Sequence, residues 1–394
     1  MLNNRADSVA FDKVAACEPQ WIGLCQVQDI LEETGKVLLH AGPPFSDLQH
    51  IPEPVLNSLC IGAIYEGWAA ERSDALDLIM SGAITLAAAQ DHNIVVPLAG
   101  VVSPSMQLMV VSDARNPEAR KYSVFNEGML HCTRLGVMNP QLPRHLTWLN
   151  TEFAGWVGKR LQKPMLLLPI IKAALAQGDD CHGRTMAGSA LIAAELRQQS
   201  KDAIPDDIDA FLNESLAFAL NLWMAACSLM MAAAEGVAGS SLITRAGGNG
   251  IEFGVQVAAQ PGQWIITAAP ALQGAIEAAH AGRTALGAIG DSAVVDFMGL
   301  GGQVLNTAEQ SFANLKAYLP DDALTRPEKV LSGTISGFGE RAGATNARSA
   351  AANASSPLIL LGMIETTGEA GRIGGGVVDI PAAFFQQVLS EAGL

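Results

Sequence analysis

The sequence predicts an α+β protein of several domains, with mixed α/β units at either end and a mainly helical segment between them. Three observations predict it. Short β-branched runs broken by Gly and Pro alternate with amphipathic stretches through the first 160 residues. From Lys163 to Gly236 the apolar residues fall almost continuously at helical spacing. After Gly236 the chain turns glycine-rich and strand-like. The divisions this implies are an N-terminal α/β domain over 1–160, a helical segment over 161–236 and a glycine-rich α/β domain over 237–394. A length of 394 residues with 49% hydrophobic content fits more than one core.

The elements follow in order. Residues 1–35 read as polar helical turns, and KVLLHAG (Lys36–Gly42) as a short apolar strand stopped by Gly42-Pro43-Pro44. The stretch from Cys60 to Asp113 alternates strand-like and helical patterns. In the central segment, the run from Asp207 to Val237 is apolar nearly all round and should be buried. Its length and missing caps leave room for a break. TRAGGNGIEFGVQV and QWIITAAPALQG read as strands with loops, and the chain ends in mixed α and β.

Composition removes several function classes. A net charge of −15 makes the surface field negative, which argues against a nucleic-acid partner. A small anion would then need local cations and backbone N–H groups, which makes individual arginines informative. The six cysteines are scattered, without metal-like spacing, so reduced thiols and no metal or cofactor are expected. MLNNRADSVAFDK has no apolar signal core, and no run approaches the ~20 apolar residues that span a bilayer. A cytoplasmic protein away from membranes is expected. The surplus of apolar residues points to a homo- or hetero-oligomer.

Chemistry concentrates in a few motifs. QGDDCHGRTMAG (Gln177–Gly188) crowds Asp179, Asp180, His182 and Arg184 before an apolar helix. Capping accounts for either Asp but not for His182 with Arg184. In AGGNGIEFG (Ala246–Gly254), Gly248, Asn249 and Gly250 form either a β-turn or an anion-binding loop, with Arg245 as its cation. Asp291 in IGDSAVVDFMGLGG and His40 with Gly42 in HAGPP place polar groups beside Gly or Pro at the edges of apolar elements. Glu66, and Asn126 with Glu127, are polar groups in apolar surroundings, where a carboxylate is paired or has a raised pKa.

In this order the motifs resemble the YlbE-like family, the family of an oxamate carbamoyltransferase subunit, from Lys36 to the C-terminus, in its short form. They are HAGPP, GAIYEGWA, SPSM, NEG, QGDDCHGRTMAG, GGNGIEFG, PGQW, GDSA and RIGGGVV. The resemblance implies phosphorolysis of a small ureido acid such as oxalurate to oxamate and carbamoyl phosphate. It also implies a complex with an FdrA-like subunit and a further small subunit. Two departures stand out: ETTGEAG (Glu365–Gly371) where relatives carry a His-Lys pair, and Asp296-Phe297 where they carry Glu-Thr.

Chemistry applied to the matched motifs then assigns roles. Arg184 and the N–H groups of Gly248–Gly250 would hold the oxyanion or phosphate. Arg245 or Arg348 would clamp the substrate carboxylate. His182 would protonate the leaving nitrogen, oriented by Asp180 or Glu127. The rest of the site would comprise His40, Gly42, Glu66, Asn126, Asp179 and Asp291. Cys181 comes second as a nucleophile, because phosphate attacks directly. The alternatives are a hydrolase or lyase of a related ureido compound, or a non-catalytic scaffold for the FdrA-like protein.

Overall fold

The structure, a computed structural model, describes residues 4–31, 35–199 and 203–394. Its organising element is the helix Phe218–Ala232, FALNLWMAACSLMMA, of which every residue but Leu220 and Ala232 is buried. A helix apolar all round needs cover on every side. The cover comes from the N-terminal strands, the first helix Arg5–Ala16, the helix Met186–Gln198, and from strand Ile243–Asn249 and helix Ala293–Met298 of the C-terminal half. The long apolar run does break. Helix Asp206–Glu214 stops at Ser215, and the chain bends by 67° into Phe218–Ala232. Among the described residues no single helix is long and apolar enough to cross a membrane.

Ahead of this helix lie two sheets. The larger runs Ile94–Val95, Arg120–Val124, Gln107–Asp113, Pro19–Gln26, Met165–Leu166. It is antiparallel apart from its first pair and bulged between Trp21 and Gly23. The smaller places Val37–His40 between Thr85–Ala88 and Val101–Val102. The KVLLHAG strand is therefore real, and it ends where Gly42 takes the left-handed φ of +78°.

The C-terminal half is built of hairpins. Ile243–Asn249 pairs with Glu252–Val257, which pairs with Gln260–Ala268, and Ile289–Gly290 closes the other edge. Leu358–Ile364 and Arg372–Asp379 form a second hairpin, and Leu331–Ile335 with Arg341–Thr345 a third. The fold is thus α+β with several mixed and antiparallel sheets, as the sequence pattern predicts.

One buried cluster of side chains runs from Ala10 to Ala392 through the central helix. A polar tie reinforces it. Asp7 accepts hydrogen bonds from Ser240 Oγ (2.9 Å), Ser241 N (2.6 Å) and Arg348 Nη1 (3.1 Å), fastening the first helix to the C-terminal half.

Candidate active site

The loop Asp179–Arg184 has the densest chemistry. It precedes the helix Met186–Gln198, and Asp179 Oδ2 accepts from Gly188 N at 2.8 Å, so Asp179 caps that helix. Burial pushes its carboxyl pKa up, against the pull of the Gly188 and Ala187 N–H groups. Its Oδ1 is buried without a hydrogen bond, 3.8 Å from Arg184 Nε. Asp180, fully buried, accepts from His182 N (2.7 Å), Arg184 N (3.0 Å) and Ser311 Oγ (2.5 Å). It holds the loop's backbone, not the His182 ring. Cys181 has a φ of +69°, and burial raises its thiol pKa well above the usual range, so it is poorly suited to be a nucleophile.

The ring of His182 belongs to Asp296. Nδ1 lies 2.5 Å from Asp296 Oδ2, with both side chains buried. Asp296 Oδ1 accepts from Gly302 N (2.8 Å) and Leu360 N (3.2 Å), so three elements fix the carboxylate that fixes the imidazole. Burial pushes the His182 pKa down, but the Asp296 charge and hydrogen bond outweigh it and leave the imidazolium favoured. Nε2 has no hydrogen-bond partner among the described residues. The expected orienting role of Asp180 or Glu127 is thus corrected: Asp296 is placed for it, because the fold carries the GDSA helix onto this loop.

Glu127 belongs to a different place. The segment after strand Arg120–Val124 walls a small, partly open cavity of about 20 Å³ with the turn Thr133–Leu135, whose Gly136 cap is left-handed. Glu127 accepts from Thr133 Oγ1 (2.5 Å) and Arg134 N (3.3 Å). Asn126 ties the wall to the central helix through Ala217 O and Asn221 Oδ1. Among the described residues no hydrogen bond or ion pair joins Glu127 to His182 or Arg184.

The remaining candidates form the seam between the halves. Asp291, fully buried, accepts from Gly42 N (2.8 Å), Gln90 Nε2 (2.7 Å) and Val96 N (2.9 Å), and burial pushes its carboxyl up to about 7 against those three donors. Gly42 packs so closely that a Cβ there would lie 2.4 Å from Gly248 C. Only glycine fits such an approach. His40 Nδ1 lies 2.8 Å from Ala41 O, and burial lowers its pKa to about 4.

Several expectations change here. Gly248 and Asn249 lie in a buried strand and Gly250 in its hairpin turn, donating to Ala288 O at 3.1 Å, so no open anion loop forms. Asn249 closes that turn by accepting from Glu252 N at 2.8 Å. Arg245 is engaged by Gln90 O (2.6 Å), Asp91 (3.1 Å) and Glu235 (3.3 Å), and Arg348 by Asp7 and Gly239 O, so neither is free to clamp a carboxylate. Glu66 accepts from Ser103 and Ser105 and serves that turn. The side chain that motif reading passed over is Asp296, which stood out only as a departure from relatives. Among the described residues no group of three or more His, Cys, Asp or Glu converges as a metal shell would require.

The family described as oxamate carbamoyltransferase subunit AllG matches residues 84–292. The chain is 30% identical to the uncharacterized protein YahG of Escherichia coli (strain K12) over 327 residues, 78% of this chain and 69% of that one. It is 26% identical to the oxamate carbamoyltransferase subunit AllG of the same organism over 98% of this chain and 96% of that one. A crystal structure of a conserved protein of unknown function from Enterococcus faecalis V583 shares the fold, with a TM-score of 0.92 at 22% identity, over 99% of this chain and 97% of that one. The chain belongs to the AllG family.

Proposed function

We propose that this chain is the subunit of a carbamoyltransferase complex that handles proton transfer as phosphate cleaves a small ureido acid such as oxalurate. Membership of the AllG family supports the class. The observation that carries the role is the buried His182–Asp296 pair at 2.5 Å with Nε2 unpartnered, in the same loop as half-exposed Arg184.

In the reaction a phosphate oxygen attacks the ureido carbonyl carbon, and the C–N bond to the departing amide breaks. The products are carbamoyl phosphate and oxamate. The proton that hydrogen phosphate gives up equals the one the departing nitrogen takes, so His182 relays it and returns to its starting state. Asp296 keeps the imidazole in the tautomer with Nδ1–H and leaves Nε2 to exchange the proton. Arg184, whose guanidinium makes only a 3.8 Å approach to Asp179 among the described residues, supplies it to the developing oxyanion. An FdrA-like subunit and a further small subunit complete the assembly.

The test is carbamoyl phosphate formation by the assembled complex over a panel of ureido acids, coupled to carbamate kinase. His182→Gln should lower turnover about 10²-fold or more with subunit assembly unchanged. Turnover that persists without phosphate identifies a hydrolase or lyase instead, and full activity in His182→Gln identifies a scaffold.

A further inference from the structure

A far larger cleft lies across the central helix from the Asp179–Arg184 loop. Its volume is about 600 Å³, and it opens between the end of the first helix, the turn joining strands Gln107–Asp113 and Arg120–Val124, and the last turn of Phe218–Ala232. Cys227 marks the loop's side of that helix, since it lies near Cys181 and Asp296. At about 100° per residue, the cleft-lining Leu229, Ala232 and Ala233 stand about 200°, 140° and 240° round the helix from it, so the two places face apart.

The charges that line the cleft are unevenly committed. Lys13, Arg115, Arg120 and Lys121 stand against Asp113, Glu118 and Glu235. Glu18 pairs with Arg115, Arg245 holds Glu235 at 3.3 Å, and Asp113 accepts from Glu18 N and Arg115 N, both at 3.0 Å. Lys13 and Arg120 are exposed and, among the described residues, make no ion pair; Arg120 Nε donates to Pro117 O. Only Glu118 is as uncommitted among the acids. The free balance is therefore positive, in a chain whose net charge is −15.

Lys121 is the buried member. It is 4% exposed, and its Nζ donates to Asn93 Oδ1 at 2.6 Å, one bond where an ammonium carries three donors. Burial, with the Arg245 charge nearby, lowers its pKa to about 8 against the pull of Glu235 and Asp91. A buried ammonium with donors to spare favours a ligand that brings an anionic acceptor. Size then limits that ligand. A phosphate or an oxalate would leave most of the cleft empty, whereas a carbon body can lie on Leu229, Ala232 and Ala233 and carry a second charge to Lys13 and Arg120.

We propose that this cleft binds an organic dianion, with one acid group taking the spare donors of Lys121, the other meeting Lys13 and Arg120, and an apolar carbon body between them. Nothing in this pairing depends on the carbamoyl-transfer reading.

Calorimetric titration of the full chain with suberate, octanoate and oxalate separates the two requirements. Octanoate keeps the carbon body and lacks the second charge, and oxalate keeps both charges and lacks the body. Suberate should bind saturably and about tenfold or more tightly than either. Lys121→Met should weaken suberate about tenfold, and Lys13→Glu, at an exposed helix end, should do so with an unchanged melting curve. A second reading is the proton count. An anion beside Lys121 restores its ammonium, so at pH 8.5 suberate binding should take up about half a proton, read from the heat in two buffers of different ionisation enthalpy. Lys121→Met should take up none. If that variant does not fold, the unmodified chain and Lys13→Glu decide: proton uptake together with weakening in Lys13→Glu supports the site. Binding without proton uptake, equal affinity for suberate and octanoate, or no saturable binding at millimolar suberate overturns it. Suberate affinity that falls in Arg184→Ala puts the anion at the loop and overturns it as well.

Discussion

The strand Ile243–Asn249 and the loop Asp179–Arg184 each set an arginine beside glycine and near acidic residues, yet the two guanidinium groups have opposite surroundings. The Arg245 side chain is 10% exposed and meets Gln90 O, Asp91 and Glu235. That of Arg184 is 37% exposed and, among the described residues, meets only the Asp179 carboxylate, at 3.8 Å. The glycines differ in the same sense. Those of the strand let Gly42 and Asp291 of the seam approach the backbone, and Gly301 beside the loop would set a Cβ 3.1 Å from that of His182. Availability of a cation is therefore decided by what the fold brings from far along the chain, not by its neighbours in sequence.

The comparison breaks most visibly at Asp291. Asp291→Ala leaves Gly42 N and Val96 N without their buried acceptor and takes one of two from Gln90 Nε2, which keeps Ala246 O, and should lower unfolding free energy by roughly 4 kcal/mol in urea titration. A loss below about 1 kcal/mol would show that the seam holds without it. On the loop side, Arg184→Ala should leave the urea midpoint nearly unchanged and lower turnover of the complex by about 10²-fold, one oxyanion contact. Unfolding of that variant would make Arg184 a structural ion pair.

Arg245→Met is the converse. It strands Asp91 and Glu235 and should cost about 2 kcal/mol of stability, with kcat and KM of the folded fraction unchanged. A rise in KM would restore it to the substrate site. The smallest effect is on the pH profile. The favoured His182 imidazolium keeps a general acid protonated above the ordinary imidazole value of 6.5, so the alkaline limb of kcat should lie above that value. Asp296→Asn removes the charge that favours it and should move the limb down. The linkage has the same sign: the raised pKa stabilises the fold below the unfolded value, and that stabilisation is lost as pH rises through the folded one.

What was legible in the sequence follows the range of the physics. The strand at Lys36–Gly42 and the buried helix within Asp207–Val237 declare themselves through periodicity and a Gly-Pro stop, which act within a few residues. The break at Ser215 was readable as a missing cap. The loop Asp179–Arg184 was recognisable as special because capping alone leaves His182 and Arg184 unexplained. The partners of those residues were not recognisable. Asp296 meets His182 across 114 positions, and Asp91 meets Arg245 across 154, so no local pattern distinguishes an engaged arginine from a free one. Lys121 shows the other limit. Its significance is hydrogen bonds left unmade, which only a complete inventory of its surroundings reveals.

The seam at Asp291 also governs how the two halves exchange their amide protons with solvent. Gly42 N and Val96 N, 54 positions apart, donate to the two oxygens of one carboxylate carried by a third segment. With Gly42 pressed against Gly248, neither amide can reach water by a local fluctuation of its own loop. In deuterium the two should therefore exchange at one common rate, set by separation of the halves, and that rate would measure how often the molecule comes apart along its middle.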